Sequence, residues 1–377
     1  VTLNEDQLAI RDAARRFARS ELAPHAQAWD EAAACPVSVL ASLAASGFMG
    51  LLVPSESGGA GCGHLTKAIV MEELAAGCAG VSTIVHVHDS VAAALVDLGT
   101  PAQIARYLPR MLAADCIGAF CITEPGAGSD TSMLRTRAVR VNGGWQIDGT
   151  KQFISNGARA GLAIVVASTD PAAGKRGFSL FAVPADTPGF RVGRVEKKMG
   201  QKCADTTEIF LDRCVVPEDA VLGTVGGGYA YAMNTLANGR VAVAAQAVGI
   251  ARSAYALALA HAGQRRAYGR EIIQHQAVAF RLADMLMKIE VARQYTHHAA
   301  GLLDAQRPAM RAAAIAKCFA SEMAERVCSD AVATLGGYGY VQGDVERIYR
   351  DVRVCQIYEG TGDIQRLIIA RELALET

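Results

Sequence analysis

Apolar residues recur at helical spacing through roughly the first hundred positions of the chain. Ile10, Ala14, Phe17 and Ala18 fall on one helix face, Thr2 and Glu5 stand at capping-box spacing ahead of it, and Pro24 ends or interrupts it. Gly47, Pro54 and the glycine cluster at 58–63 mark a loop, after which 66–78 and 89–98 resume helical patterns. From Ile117 to Val221 the pattern changes to short β-type runs: Trp145–Ile147, Lys151–Ile154, Leu162–Ala167, Phe178–Val183 and Thr207–Leu211. Asn142-Gly143-Gly144 and Asp148-Gly149 read as turns between them. The runs lie too close together for intervening helices, which predicts an antiparallel sheet.

Past Gly226-Gly227-Gly228 the helical period returns. Val241, Ala244, Ala245 and Val248 share a face, as do Leu282, Met285, Leu286 and Ile289; 308–335 and 362–375 form two further segments. Helices joined by short loops predict an antiparallel bundle. The expected fold is therefore α+β and mostly α, in three domains: a helical domain over 1–116, a β domain over 117–225 and a C-terminal four-helix bundle over 226–377.

Half of the 377 residues are hydrophobic but only 6% are aromatic, so the core must be rich in Ala, Val and Leu, which favours close-packed helices. Lys plus Arg equals Asp plus Glu at 37 each, so the charge balance points to neither nucleic acid nor a membrane surface. No apolar run approaches the ~18 residues of a membrane span, and no secretory leader is visible. The ten cysteines are scattered without a CxxC, as expected of buried thiols in a reducing compartment, and the histidine spacing suggests no metal site. A cytoplasmic protein is expected; a processed organellar matrix protein would look the same.

Candidate chemistry concentrates at Cys355-Gln356-Ile357-Tyr358-Glu359-Gly360-Thr361, before a stripe of Ile364, Leu367 and Ile368. A carboxylate between apolar neighbours and a glycine can sit in a drying pocket, where desolvation raises its pKa toward that of a general base. Two further segments matter. Phe120-Cys121-Ile122-Thr123-Glu124-Pro125-Gly126-Ala127-Gly128-Ser129-Asp130 offers backbone amides and hydroxyls to a phosphate, without a dinucleotide fingerprint. Gly149-Thr150-Lys151-Gln152-Phe153-Ile154-Ser155-Asn156 carries an aromatic plane at a strand end; alone, Phe153 reads as core.

Together, and with Gly336-Gly337-Tyr338-Gly339-Tyr340 and Glu346-Arg347-Ile348-Tyr349-Arg350-Asp351, these segments resemble the acyl-CoA dehydrogenase family over essentially the whole chain, nearest its short-chain and short/branched-chain members. The resemblance implies a homotetramer with one FAD per subunit, acting on an acyl-CoA and passing electrons to an electron-transfer flavoprotein. Glu359 would take the α proton while the β hydride passes to FAD, giving the trans-2-enoyl-CoA. Phe120, Ile122, Thr123, Gly128, Ser129, Phe153, Ile154, Ser155, Thr361 and Asp363 would hold the cofactor. Arg265, Gln276, Ala333, Gly336 and Gly337 would reach the FAD of a neighbouring subunit. Ser129, Asn238, Arg240 and Gly360 would contact the substrate. Many relatives carry Trp at Phe153, Gln at Ala333 and an acid at Ala237. Some place the base where this chain has Gly239, so Glu359 is the only carboxylate at either family position. Arg347, Arg350 and Asp351 read as structural ion pairs. His86 and His88 read as packing residues, although His86 could lie near the acyl pocket. An oxygen-using acyl-CoA oxidase and a non-catalytic flavin-binding assembly protein are the alternatives.

Overall fold

The computed structural model describes residues 2–373. The first helix, α1 (Glu5–Phe17), is capped by Asn4 rather than by Thr2. Asn4 Oδ1 accepts from Gln7 N at 2.8 Å and Gln7 Oε1 accepts from Asn4 N at 3.0 Å. Thr2 lies outside the helix, so the capping-box spacing to Glu5 is not used. A π-helical turn, Ala18–Leu22, precedes Pro24. Then follow α2 (Ala26–Ala32), α3 (Val37–Ala45), α4 (His64–Gly77), α5 (Ala79–Leu98) and α6 (Pro101–Leu112). Helix α5 begins ten residues before the expected 89. Its first turns bury Ser82, Thr83, His86 and His88, polar residues that blur the apolar period.

The sheet comprises, among the described residues, β1 (Ile117–Cys121), β2 (Arg137–Val141), β3 (Gly144–Ser155), β4 (Ala160–Ser168), β5 (Phe178–Pro184), β6 (Phe190–Val195), β7 (Thr206–Pro217) and β8 (Val221–Leu222). Its order is β6-β7-β3-β2-β4-β5-β8, with β1 also on β4. Most pairs are antiparallel as expected, but β1 runs parallel to β4, as does the single β2–β4 bridge. The β2–β3 hairpin lies between β1 and β4 in sequence and returns the chain in the direction it started. Trp145–Ile147 and Lys151–Ile154 are one strand, and Asp148-Gly149 is a register shift against β7 instead of a turn. A Cβ at Gly149 would lie 2.4 Å from Thr136 Oγ1, so this crossing needs glycine. The central strand β4 is buried on both faces. Leu162, Ile164 and Val166 pack towards α5 and α6, while Val165 and Ala167 face Trp145, Ile147 and Phe181.

The bundle holds α7 (Gly228–Gln264), α8 (Gln276–Asp304), α9 (Met310–Leu335), α10 (Gly337–Tyr340), α11 (Asp344–Val352) and α12 (Gly362–Leu373). Residues 374 and 375 of the expected last helix lie outside the described residues. Helix α7 starts against β5, where a Cβ on Gly228 would touch Ser179, and crosses α4 at Gly249. Val241, Ala244, Ala245 and Val248 are buried as expected, but Leu286 is 42% exposed beside buried Leu282, Met285 and Ile289. Helices α5 and α7 do reach membrane-spanning length and hydropathy; 78% and 72% of those windows are buried inside the protein, which makes them core helices. All ten cysteines are free thiols, and all but Cys62 are buried.

Candidate active site

Glu359 sits where α11 ends, beyond a 3-10 turn (Arg353–Gln356) and before α12. Its φ is +53° and that of Gly360 is +88°. Left-handed backbone at a non-glycine residue costs on the order of 1–3 kcal/mol and persists only where its surroundings hold it. Here they do. Lys317 Nζ donates to Gly360 O at 2.6 Å, and Gln365 Nε2 donates to Glu359 O at 3.0 Å and Gly360 O at 2.9 Å. Lys317 and Gln365 are fully buried. The expected Ile364, Leu367, Ile368 stripe is not the buried face of α12: Leu367 is 44% exposed and Gln365 takes the inner position. On the other side of Glu359, Tyr358 Oη donates to Gln246 Oε1. Gln246 Nε2 in turn donates to Ala79 O at 3.0 Å, Ser82 Oγ at 2.9 Å and Thr83 Oγ1 at 2.8 Å.

The carboxylate lies over Gly239 of α7, where a Cβ would be 2.6 Å from Glu359 Oε2. His86 Nε2 of α5 is 3.6 Å from Oε1, so the N-terminal helices supply one wall of the site. Oε2 has no hydrogen-bond partner among the described residues. Burial acts most strongly on this carboxyl and pushes its pKa up. His86, Arg240 and Lys317 together outweigh it and hold the group below the ordinary glutamate value. The drying pocket expected to raise this pKa is offset by the cations that share it. Burial also pushes Lys317 down, to about 8. His88, by contrast, is structural: Gly118 N donates to its Nδ1 at 3.0 Å, its Nε2 meets Met111 O at 3.1 Å, and burial lowers its pKa to about 4.

The 120–130 segment leaves β1 and is pinned by Glu124. The Glu124 carboxylate accepts from Lys151 Nζ at 2.8 Å, Thr136 Oγ1 at 2.6 Å and Arg135 N at 2.6 Å. Gln152 N donates to Thr123 O at 2.9 Å, tying the segment to β3. Phe120, Ile122 and Thr123 are half-buried and Ser129 is exposed, while Gly126 and Gly128 have open space where a Cβ would stand. Phe153 projects at 59% exposure from left-handed backbone, and Ser155 is half-buried. Ile154 departs from its expected place on the cofactor wall: its side chain is buried in the sheet core. An exposed aromatic plane beside an open glycine-flanked loop is the shape a flat cofactor with a phosphate tail fills.

Sequence models of the acyl-CoA dehydrogenase N-terminal, middle and C-terminal domains match residues 4–115, 119–214 and 226–374. The chain belongs to the acyl-CoA dehydrogenase family. It is 39% identical to the human mitochondrial short-chain specific acyl-CoA dehydrogenase, over 99% of this chain and 91% of that one. Butyryl-CoA dehydrogenase from Megasphaera elsdenii superposes with a TM-score of 0.96 at 36% identity, over 99% of both chains. A chain solved in work on the electron transferring flavoprotein of Acidaminococcus fermentans also reaches 0.96, at 40% identity over 99% of this chain and 98% of that one.

Five of the remaining candidate residues of this acyl-CoA dehydrogenase form a second, distant group. Arg265 caps the far end of α7, with its guanidinium 5.9 Å from the Tyr338 ring, and Gln276 opens α8 nearby. Ala333, Gly336 and Gly337 close α9 there, all exposed. Gly239 and Gln264 are 25 residues apart on one helix, about 38 Å at 1.5 Å per residue. Arg265 therefore lies far from the Glu359 carboxylate beside Gly239. Thr361 Oγ1 accepts from Ile364 N at 3.4 Å at the start of α12, and Asp363 is exposed. Asn238 and Arg240 flank Gly239; Arg240 is buried, with its Nη1 against Met310 Sδ. Arg350 pairs with Asp30 at 2.7 Å and Arg347 with Asp351 at 3.3 Å, the structural role expected of them.

Sequence reasoning passed over three features. Lys317 stands alone among Ala313, Ala316, Ala320 and Ala324 on the inner face of α9, a visible break in an apolar stripe. Gln365 gave no signal, being a polar residue next to Arg366 in a segment read by its apolar positions. A cavity of about 680 Å³ beside the 126–133 loop is lined by Arg135, Arg137 and Lys175, cations separated by some forty residues.

Proposed function

We propose that this enzyme dehydrogenates a short acyl-CoA thioester between its α and β carbons, with Glu359 as the base and FAD as the acceptor. The observation that carries this reading is the Glu359 carboxylate itself. It is kept ionised by three cationic or potentially cationic neighbours, and its Oε2 is free to take a proton. Bound FAD supplies the acceptor for the β hydride, and the flavin wall of Phe120, Thr123, Phe153 and Ser155 is shaped to hold it. The chain's own part is to bind, orient and exclude water. Glu359 N–H has no acceptor among the described residues, so it is available to the thioester oxygen as negative charge develops there; such a preorganised donor is worth several kcal/mol. Gly239 leaves room for the carboxylate itself, since a Cβ there would lie 2.6 Å from Oε2. The cationic cavity of Arg135, Arg137 and Lys175 suits the phosphates of coenzyme A.

The second group around Arg265 supports a shared cofactor, and hence a homotetramer in which each FAD meets residues of two subunits. Helix α8 presents Phe280, Met287 and Val291 at 63%, 58% and 55% exposure, an apolar strip that a neighbouring subunit would cover. Electrons would leave to an electron-transferring flavoprotein, as the likeness to the Acidaminococcus fermentans chain supports. Anaerobic titration with butyryl-CoA tests the core of the proposal. The wild type should bleach its flavin, and Glu359→Gln should keep FAD but lose at least ~10²–10⁴ in rate. Near-normal bleaching by the purified variant would remove Glu359 from the role.

A further inference from the structure

We infer that Cys78 and Cys203 are a peroxide-reactive pair that closes to a reversible disulfide between the N-terminal helices and the β domain, and that closure slows the enzyme. Cys78 is the single residue between α4 and α5 and the N-cap of α5. Cys203 lies in the loop from β6 to β7, 125 residues away. Their sulfurs are 3.7 Å apart in a thiol–thiol hydrogen bond, and both thiols are free. Cys203 Sγ rests on the first turn of α5, where a Cβ on Gly80 would collide with it. Both cysteines are 3% exposed, so the contact is seated by packing from both domains. In a reducing compartment such a bond is a transient signal and not a permanent staple.

The two thiols are not equivalent. The Cys203 S–H donates to the Cys78 sulfur, and the Val81 N–H in the first turn of α5 is a second donor to it. Together they outweigh burial and hold Cys78 below the ordinary thiol value, which makes it the attacking sulfur. The same shared proton, with burial, holds Cys203 well above that value. The Cys78 thiolate attacks one oxygen of hydrogen peroxide and the O–O bond breaks. The hydroxide that leaves takes up the proton Cys78 gave, and becomes water. Cys203 then attacks the sulfenic acid on Cys78: the S–S bond forms, the S–O bond breaks, and the second hydroxide leaves as water with the Cys203 proton. Two thiols lose two electrons and two protons, and one peroxide becomes two waters. Burial selects this oxidant, because hydrogen peroxide is uncharged and barely larger than water, whereas glutathione disulfide is too bulky to reach either sulfur.

Closure acts on the Glu359 loop through the residue two before Cys203. A disulfide is ~2.05 Å long, so the sulfurs must approach by about 1.7 Å. Gln201 is held from both sides: its N–H donates to the Asp351 carboxylate, its Nε2 to Asp351 O at 3.1 Å, and its Oε1 accepts from Thr83 Oγ1 at 2.6 Å. Thr83 in turn accepts from Gln246, which accepts from Tyr358, the neighbour of Glu359. Bonds of this kind are lost by about 3.6 Å. Drawing Cys203 onto the start of α5 therefore strains the contacts that position the loop. The slowing rests on Glu359 being the base; the disulfide does not.

Brief treatment of the holoenzyme with hydrogen peroxide, removal of the excess, alkylation and peptide mass mapping test the bond. A Cys78–Cys203 cross-linked peptide should appear, and dithiothreitol should abolish it. Anaerobic flavin reduction by butyryl-CoA, measured on the same samples, should slow at least about threefold on oxidation and recover with dithiothreitol. Cys203→Ser and Cys203→Ala should each keep the untreated rate and lose the peroxide response, which separates closure from damage elsewhere. Cys35→Ser should still cross-link, and glutathione disulfide should have no effect on the wild type. No cross-link, a bond from Cys78 to Cys35, or sulfinic acid on Cys78 in place of a disulfide overturns the pairing. A complete Cys78–Cys203 bond with the rate unchanged overturns the slowing. Butyryl-CoA failing to reduce the untreated flavin would count against the dehydrogenase reading, and the mass map would still decide the pairing.

Discussion

Gly239→Ala should slow flavin reduction about a hundredfold while leaving the fold and the cofactor in place. The added Cβ would lie 2.6 Å from Glu359 Oε2, 2.8 Å from Cδ and 3.0 Å from Oε1. Non-bonded heavy atoms settle near ~3.5 Å, so the carboxylate must retreat by roughly 0.9 Å. It can do so cheaply, because it is the end of a flexible side chain, and the backbone of the loop stays pinned by Lys317 and Gln365. A misplacement of about 1 Å between reacting groups costs on the order of 10²-fold, or ~2.7 kcal/mol at 1.36 kcal/mol per decade. Stability should move the other way, since Ala inside a helix is favoured over Gly by up to ~1 kcal/mol. Stopped-flow reduction with butyryl-CoA, set beside FAD content and a urea midpoint, separates the two effects. A variant that reduces its flavin at the wild-type rate would show that the carboxylate does not work from its place over Gly239.

Other perturbations address the groups around that carboxylate. Lys317→Met removes the donor to Gly360 O at nearly constant volume; kcat should fall at least about tenfold with KM little changed, and an unchanged kcat would make Lys317 a packing residue only. Because Glu359 is held below the ordinary glutamate value, the acid limb of kcat/KM for the free enzyme should lie below that value, with activity present above the limb and lost as pH falls through it. His86→Ala removes one cause of the lowering, so the limb should shift to higher pH; an unmoved limb refutes the pairing. Arg265→Ala should weaken FAD retention and subunit association together by roughly 1.5–3 kcal/mol, read as flavin loss on dilution and gel filtration. Full retention would return Arg265 to an ordinary solvated helix end.

The order of helices, sheet and bundle was legible because burial imposes periods of 3.6 and 2 on apolar residues, and Val241, Ala244, Ala245 and Val248 or Leu162, Ile164 and Val166 obey them. Legibility failed where a local signal had a tertiary rival. Asp148-Gly149 has turn chemistry, but the close approach of Thr136 uses its glycine inside a continuous strand. Leu286 and Leu367 fit helical stripes yet face outward, since a stripe states which residues are apolar and not which face the rest of the subunit covers. Glu359 could be picked out from its loop and the family likeness, but the sign of its pKa could not. That sign depends on His86, Arg240 and Lys317, which arrive from three helices up to 273 residues away in sequence.

The same long-range wiring explains how a carboxylate on strained backbone can be held in a loop at all. Glu359 and Gly360 both occupy left-handed backbone, and no helix ladder supports them. On one side their carbonyls are taken by Lys317 and Gln365, which water does not reach. On the other, Tyr358 is anchored to Gln246. From there Thr83 donates to Gln201 at 2.6 Å, Gln201 Nε2 donates to Asp351 O at 3.1 Å, and Asp351 pairs with Arg347. This chain of buried polar contacts joins α5, the β domain and α11, so all three domains contribute to the position of one carboxylate. Buried polar groups are costly when a partner is lost, which makes partial occupancy of any other loop conformation unfavourable. The loop is fixed by contacts distributed over the whole fold, and these hold the Glu359 carboxylate in its place over Gly239.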